Sequence, residues 1–518
     1  MNRIVKKVIT PSAMVAACIA SAYSASAQLW NGGDVIVSES YYQDTGAVAG
    51  LNVGANLPGG GTAVANGAFP SVFLNDTPDS SFGVTSPITI QNYTQNTTLN
   101  LPASQMTTSF SSKSEISLNF SSDGSTLDFM GYVAPVGAVD VSNSSTPGNP
   151  DPSNTDTASP TYRAVGQLSA NGALGVTPVN SYSGNNGRAA IVVNNVNGTG
   201  ANNIYTVGNA GNGSQPEPAS VVSSTGVQLT PVGGSPASTT VVGQQFGSAG
   251  NSKGYQYGFS VTQVGDTADN SGKDNNFRGE TIFNNTLYVT KGSGSQGIDS
   301  VFQVGTTGSL PTAADASSTT ISILPGFNTT LSKSLTTGGY HPFGLFFANA
   351  TTLYVADEGD AVLADAGTSA DPNAGLEKWS LISGVWHQDY TLRTGLFGSY
   401  NPANYGGMTV TTDGLRDLAG RVNADGTVTL YSVTSTLDSN PNNDAGADPN
   451  KLVQITDTLA DTTLAQASGE AFSVDETAAT GEVIRGVAIA PVPEAGTWYA
   501  GAGVLAMISG RILRLRKK

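Results

Sequence analysis

Between residues 28 and 490 the apolar positions fall in short runs of four to eight residues, rich in Val, Ile, Tyr, Phe and Thr. Each run ends at a cluster of Gly, Asn, Asp or Ser. Runs of that length bounded by turn formers predict β-strands, and no stretch carries the spacing of an amphipathic helix. The strands recur as a unit: one strand, a tight Gly/Asn/Asp turn, then a second strand centred on an aromatic residue. Copies begin near Ser114, Gly187, Phe277, Pro342 and Leu415, and their aromatic centres are Phe129, Tyr205, Tyr288, Tyr354 and Tyr431. The centres recur at a roughly even interval, long enough for four-stranded units joined by long loops.

The pattern predicts an all-β chain, a β-propeller of six or seven four-stranded blades. The two ends of the repeat region support closure. Residues 482–490 match the first strand of the unit and lack a second; residues 33–39 match a second strand and lack a first. One completes the other, because an open ring would leave two unpaired edges. Closing it gives six blades, and the long interval between Ile36 and Phe129 has room for a seventh. A β-sandwich array and a parallel β-helix are the competing architectures. The segment Thr352–Gly359, TLYVADEG, resembles a strand of NHL-type or lactonase-type propellers.

The chain ends carry a different pattern. Arg3, Lys6 and Lys7 precede an apolar stretch from about Val8 to Tyr23, and Ala25-Ser26-Ala27 follows. That order predicts a secretory signal peptide spanning 1–27, cut after Ala27. A lipoprotein-type site at Cys18 is the alternative. At the other end, in residues 491–518, Val492-Pro493-Glu494 leads into Thr497-Trp498, a short apolar stretch and a basic tip with Arg511, Arg514 and Arg516. The apolar stretch is short for a membrane span, which needs about 20 residues, and the basic tip holds that end on the cytoplasmic side. These residues resemble a PEP-CTERM sorting tail, with Ala495 where proline is usual. The resemblance implies a C-terminal hydrophobic sorting helix, transient inner-membrane anchoring and processing by an exosortase-type protease near Pro493-Glu494. It also implies final residence at the cell surface, in the extracellular matrix or in the periplasm of a Gram-negative-type bacterium. An ordinary C-terminal anchor is the plainer alternative.

Composition sharpens this picture. Three of the 22 basic residues lie in the leader and five in the tip, leaving 14 against 38 acidic residues over 28–510. So acidic a body repels nucleic acid and anionic membranes and attracts divalent cations. Cys18 is the sole cysteine, so the mature chain has no disulfide and depends on its core. Only His341 and His387 are available for histidine chemistry, which argues against His-rich metal centres and leaves few ways to build a Ser-His-Asp triad. No P-loop, nucleophile elbow, HExxH or paired CxxC occurs.

The best metal candidate is Asp438, Asn440, Asn442 and Asp444, whose oxygens alternate as in a calcium loop. The run lacks the following glycine, and a solvated Asx-rich turn is the plainer reading. Asp357-Glu358-Gly359-Asp360 and the trio Asp266, Asp269 and Asp274 are weaker acidic clusters. Arg188, Arg278, Arg416 and Arg485 open the first strand of four units, where they would either line a channel or bond a neighbouring blade. Trp379 and Trp386 share one hairpin and would fill the space between blades or stack on sugars. The expected function is that of a secreted, envelope- or exopolysaccharide-associated binding or matrix protein with no catalytic residues. The alternative is a calcium-dependent hydrolase of lactonase or phosphotriesterase type, which needs carboxylates and amides converging on the ring axis.

Overall fold

The computed structural model describes residues 28–43, 51–56, 62–75, 83–151, 159–211, 218–233, 240–242, 245–246, 256–257, 275–292, 297–335, 339–439 and 445–492. Six antiparallel sheets form the blades of a propeller. Blade 1 runs outward from Glu482–Ile489 through Val35–Tyr41 and Ile88–Asn92 to Thr97–Asn100. Blade 2 comprises Asn119–Phe120, Thr126–Tyr132, Arg163–Ser169 and Leu174–Val179. Blade 3 comprises Gly187–Val193, Asn203–Gly208, Gly226–Pro231 and Thr240–Val241. Blade 4 comprises Glu280–Phe283, Thr286–Lys291, Ser300–Val304 and Ile321–Ile323. Blade 5 comprises Pro342–Asn349, Thr352–Asp357, Gly375–Ile382 and Val385–Leu392. Blade 6 comprises Val410–Val422, Thr427–Asp438, Lys451–Thr458 and Ser473–Thr477, with Ser399–Tyr400 added beside its innermost strand. The innermost strands touch one another in turn, and the last touches the first.

Closure takes the form the strand inventory predicts. Val35 pairs with Ile489 and Tyr41 with Glu482, so the C-terminal strand is the innermost strand of blade 1 and the N-terminal strand is its second. The interval between Ile36 and Phe129 holds the outer strands of blade 1 and a cap, not a seventh blade. In the cap, Tyr42, Phe69, Phe73 and Phe110 pack ring against ring and onto Val483 at the start of blade 1.

Alternation along each strand sends apolar side chains to both faces of each blade, where the neighbouring blades bury them. Six separate cores result, one per seam. Phe129 sits in the core between blades 1 and 2, Tyr205 between 3 and 4, Tyr288 between 4 and 5, and Tyr354 between 5 and 6. Tyr431 is half-buried against the core between 6 and 1. The seam between blades 2 and 3 is filled instead by Met130, Val165, Tyr182 and Val192. The small residue opposite a large one has a packing reason. A Cβ on Gly166, which pairs with Phe129, would lie 2.5 Å from that ring.

Candidate functional site

The ring axis has two different ends. Toward one end a cavity of about 520 Å³ is lined by all six innermost strands or the residues leading into them. Leu118, Ile191, Ile282, Leu345, Leu418 and Val487 contribute one aliphatic side chain from each blade. Its polar lining is amide and hydroxyl, with no acidic or basic residue among the described residues. Among those residues, the set of carboxylates that a metal-dependent axial hydrolase needs is not there.

At the other end, the segment 107–118 crosses the mouth of the ring, and the repeated arginines hold it. Arg188 Nε and Arg278 Nη1 both donate to Ser114 Oγ at 2.9 Å. Arg188 reaches the next blade as well, donating to Asn276 and to Phe277 O. Arg485 donates to Phe110 O and to Gly446 O. Asn186 donates to Ser112 Oγ at 3.0 Å. From blade 6, Asp417 accepts from Ser117 Oγ, Leu118 N and Val487 N at 2.7, 3.1 and 2.9 Å. Arg416 completes the set through a 3.0 Å ion pair with Glu358 of blade 5. The arginines therefore bond neighbouring blades and the crossing segment and do not line an open channel. Burial pushes the Arg188 guanidinium well down, and Arg278 adds to the effect. Burial alone would raise the Glu358 carboxyl, but Arg416, Arg278 and Lys113 outweigh it and hold it below its ordinary value.

Beside this mouth, where blade 5 meets blade 6, is a concentration of acid. Asp357 ends the second strand of blade 5, Glu358, Asp360 and Asp371 lie on the loop that follows, and Asp413 lies on the innermost strand of blade 6. Glycine makes the close approach possible. Gly359 has φ +82°, and a Cβ there would lie 2.6 Å from Asp413 Oδ2. Asp357 is satisfied, accepting from His341 N at 2.6 Å and Gly359 N at 2.9 Å. Glu358 is paired with Arg416. Asp360, Asp371 and Asp413 are left, each placing a carboxylate oxygen within 4.8 Å of the other two. Burial, then the charges of Asp371, Asp360 and Glu358, push the Asp413 carboxyl up to about 7. Asp371 is raised by burial and then by Asp360. His341 does not join them: its Nδ1 lies 3.0 Å from Gly292 O and its Nε2 packs against Gly339. Burial lowers its pKa, but Asp357, Asp299 and Glu358 win and the net direction is up.

Of the residues singled out from sequence, Asp438 is buried at the end of its strand. Asn440, Asn442 and Asp444 lie outside the described residues, as do Ala27, Pro493, Glu494, Arg511, Arg514, Arg516 and the trio Asp266, Asp269 and Asp274. The segment Asp357–Asp360 does flank the ring's mouth, but its partners Asp371 and Asp413 do not stand out in the sequence. Asp413 belongs to the next blade, so it gives no local signal near Asp371, and only the seam brings the two together. Trp379 and Trp386 are buried between blades 4 and 5, Trp379 stacked on Phe327 at 4.0 Å. They fill space and present no sugar platform. No helix among the described residues is long and apolar enough to cross a membrane.

No protein-family model matches the chain, and no curated protein matches it in sequence. Among solved structures, a protein of Bacteroides uniformis provisionally assigned as a 6-phosphogluconolactonase is similar over 79% of this chain and 95% of its own. The identity is 9% and the TM-score 0.29.

Proposed function

We propose that this is a secreted propeller of the cell envelope or exopolysaccharide matrix, acting by binding and not by turnover. The observation that supports this most is the axis. One aliphatic side chain from each of six blades lines it at one end, and a bonded segment crosses it at the other. Hydrolysis on a propeller axis needs oxygen ligands from several blades around a metal, and the clustered acids among the described residues come from blades 5 and 6 alone. The leader ending at Ala27 and the tail with Pro493-Glu494, Arg511, Arg514 and Arg516 support export, exosortase-type processing and envelope residence. Polysaccharide or envelope components are the partners this reading names.

Two measurements test it. Fractionation of producing cells, with mass analysis of the mature C-terminus, is expected to find the chain outside the cytoplasm and ending near Glu494. A panel of soluble polysaccharides is expected to yield a binder for the purified ring. Calcium-dependent turnover of a lactone or a phosphotriester by that ring would overturn the reading in favour of a hydrolase.

A further inference from the structure

We infer that Asp360, Asp371 and Asp413 form a binding site for a hard divalent cation, calcium before magnesium, that bolts blade 5 to blade 6. Asp371 is fully buried and Asp413 is 2% exposed. Each uses one oxygen on a backbone amide: Asp371 Oδ2 accepts from Asp360 N at 3.3 Å and Asp413 Oδ2 from Ala361 N at 3.0 Å. The other oxygen of each, Asp371 Oδ1 and Asp413 Oδ1, is sealed from solvent and has no hydrogen-bond partner. A buried carboxylate oxygen left bare is costly, and three carboxylates gathered this closely repel one another. Protons or a cation can relieve this. The neighbouring acids Asp357 and Glu358 have partners and Asp360 Oδ1 accepts from Val362 N at 2.9 Å, so within the cluster the bare oxygens are those of Asp371 and Asp413.

The chemistry selects the ion. The ligand set is oxygen only, which suits calcium or magnesium over zinc or copper. Calcium takes about six to eight oxygens in a flexible geometry, whereas magnesium demands a near-ideal octahedron and keeps several of its waters, so a cluster of three carboxylates between two blades favours calcium. The three oxygens lie within 4.8 Å of one another. Backbone carbonyls and water would complete the shell. The site differs from the Asp438 run, since Asp438 lies on the neighbouring strand of blade 6 opposite Val410 and is not one of the three acids, and it does not depend on the binding function proposed above.

The test is calorimetry of the mature chain at pH 8 in EDTA, in excess Ca²⁺ and in excess Mg²⁺. Ca²⁺ at a hundred times its dissociation constant is expected to raise Tm by about 3 °C, and Mg²⁺ by less. The Asp371→Asn/Asp413→Asn variant is expected to lose the Ca²⁺ shift while melting no lower than the parent in EDTA, because the repulsion is gone. Asp438→Asn is expected to keep the shift. Should the double variant fail to fold, Asp360→Asn, at the more exposed ligand, is expected to weaken Ca²⁺ displacement of bound Tb³⁺ luminescence at least tenfold. A Ca²⁺ shift retained in full by the double variant, unchanged Tb³⁺ displacement in Asp360→Asn, or no shift in the parent would each overturn the assignment.

Discussion

Replacing Lys378 with methionine tests whether the seam between blades 5 and 6 is held as the structure implies. Lys378 is fully buried, and its Nζ donates to Asp457 Oδ2 at 2.8 Å, Thr458 O at 2.7 Å and Tyr390 Oη at 3.0 Å. Asp457 also accepts from the Tyr354 and Tyr390 hydroxyls. Methionine keeps most of the stem's packing but leaves Asp457 buried without its cation. Removing one partner of a buried pair costs about 3–5 kcal/mol. The two tyrosine hydroxyls still solvate the carboxylate, which puts the loss at the low end, about 3 kcal/mol. Unfolding entropy of about 2.1 cal/mol/K per residue over roughly 460 residues gives about 1 kcal/mol per degree, so Tm should fall by about 3 °C. Adding Asp457→Asn removes the stranded charge and should restore about half of that; because Asp457→Asn alone strands the buried Lys378, the two changes should couple by more than about 1.5 kcal/mol. Differential scanning calorimetry of the four proteins measures it. A Lys378→Met protein whose Tm matches the parent's, or strict additivity of the two changes, would refute the account.

Arg188→Met should release the segment crossing the mouth at a cost of about 2–3 kcal/mol from its lost charged hydrogen bonds, and trypsin should then cut after Lys113 faster than in the parent. Gly414→Ala should destabilise by about 1–3 kcal/mol and abolish the calcium response, because its Cβ would lie 2.4 Å from Asp357 O and force the acidic turn away; a melting curve with and without Ca²⁺ checks both. In EDTA, stability should fall as pH rises from about 4 to 7. Asp413 and Glu39 are each held up to about 7 in the fold, so over that window the folded chain binds more protons than the unfolded one. For Glu39 the causes are burial and then Glu476 and Glu482. A Tm higher at pH 8 than at pH 5.5 would contradict this. Removing residues 480–518 should leave the second strand of blade 1 unpaired on its axial edge and give an aggregated product in sedimentation, whereas removing 493–518 should not.

The blades were legible because they are local. Each unit writes its own strand, turn and aromatic within one short stretch of chain, and a strand with no mate at either terminus points to the other end. Blade number was open because the loops are long: the interval after Ile36 could be a blade by length, and only pairing shows it to be outer strands and a cap. The arginines were visible as a repeated position, and their bonding to carbonyls and hydroxyls, not to a lumen, followed from the geometry of adjacent blades.

Strand periodicity, turn chemistry and the charge pattern of the two ends are properties of neighbouring residues, and these the chain states on its own. Which acids share a site, which lysine sits under which aspartate and what lines the axis are properties of seams between blades. Asp371 and Asp413, or Lys378 and Asp457, belong to different blades and meet only when the ring closes. Electrostatic cost falls steeply with distance and rises with burial, and a linear sequence encodes neither for residues so far apart along it.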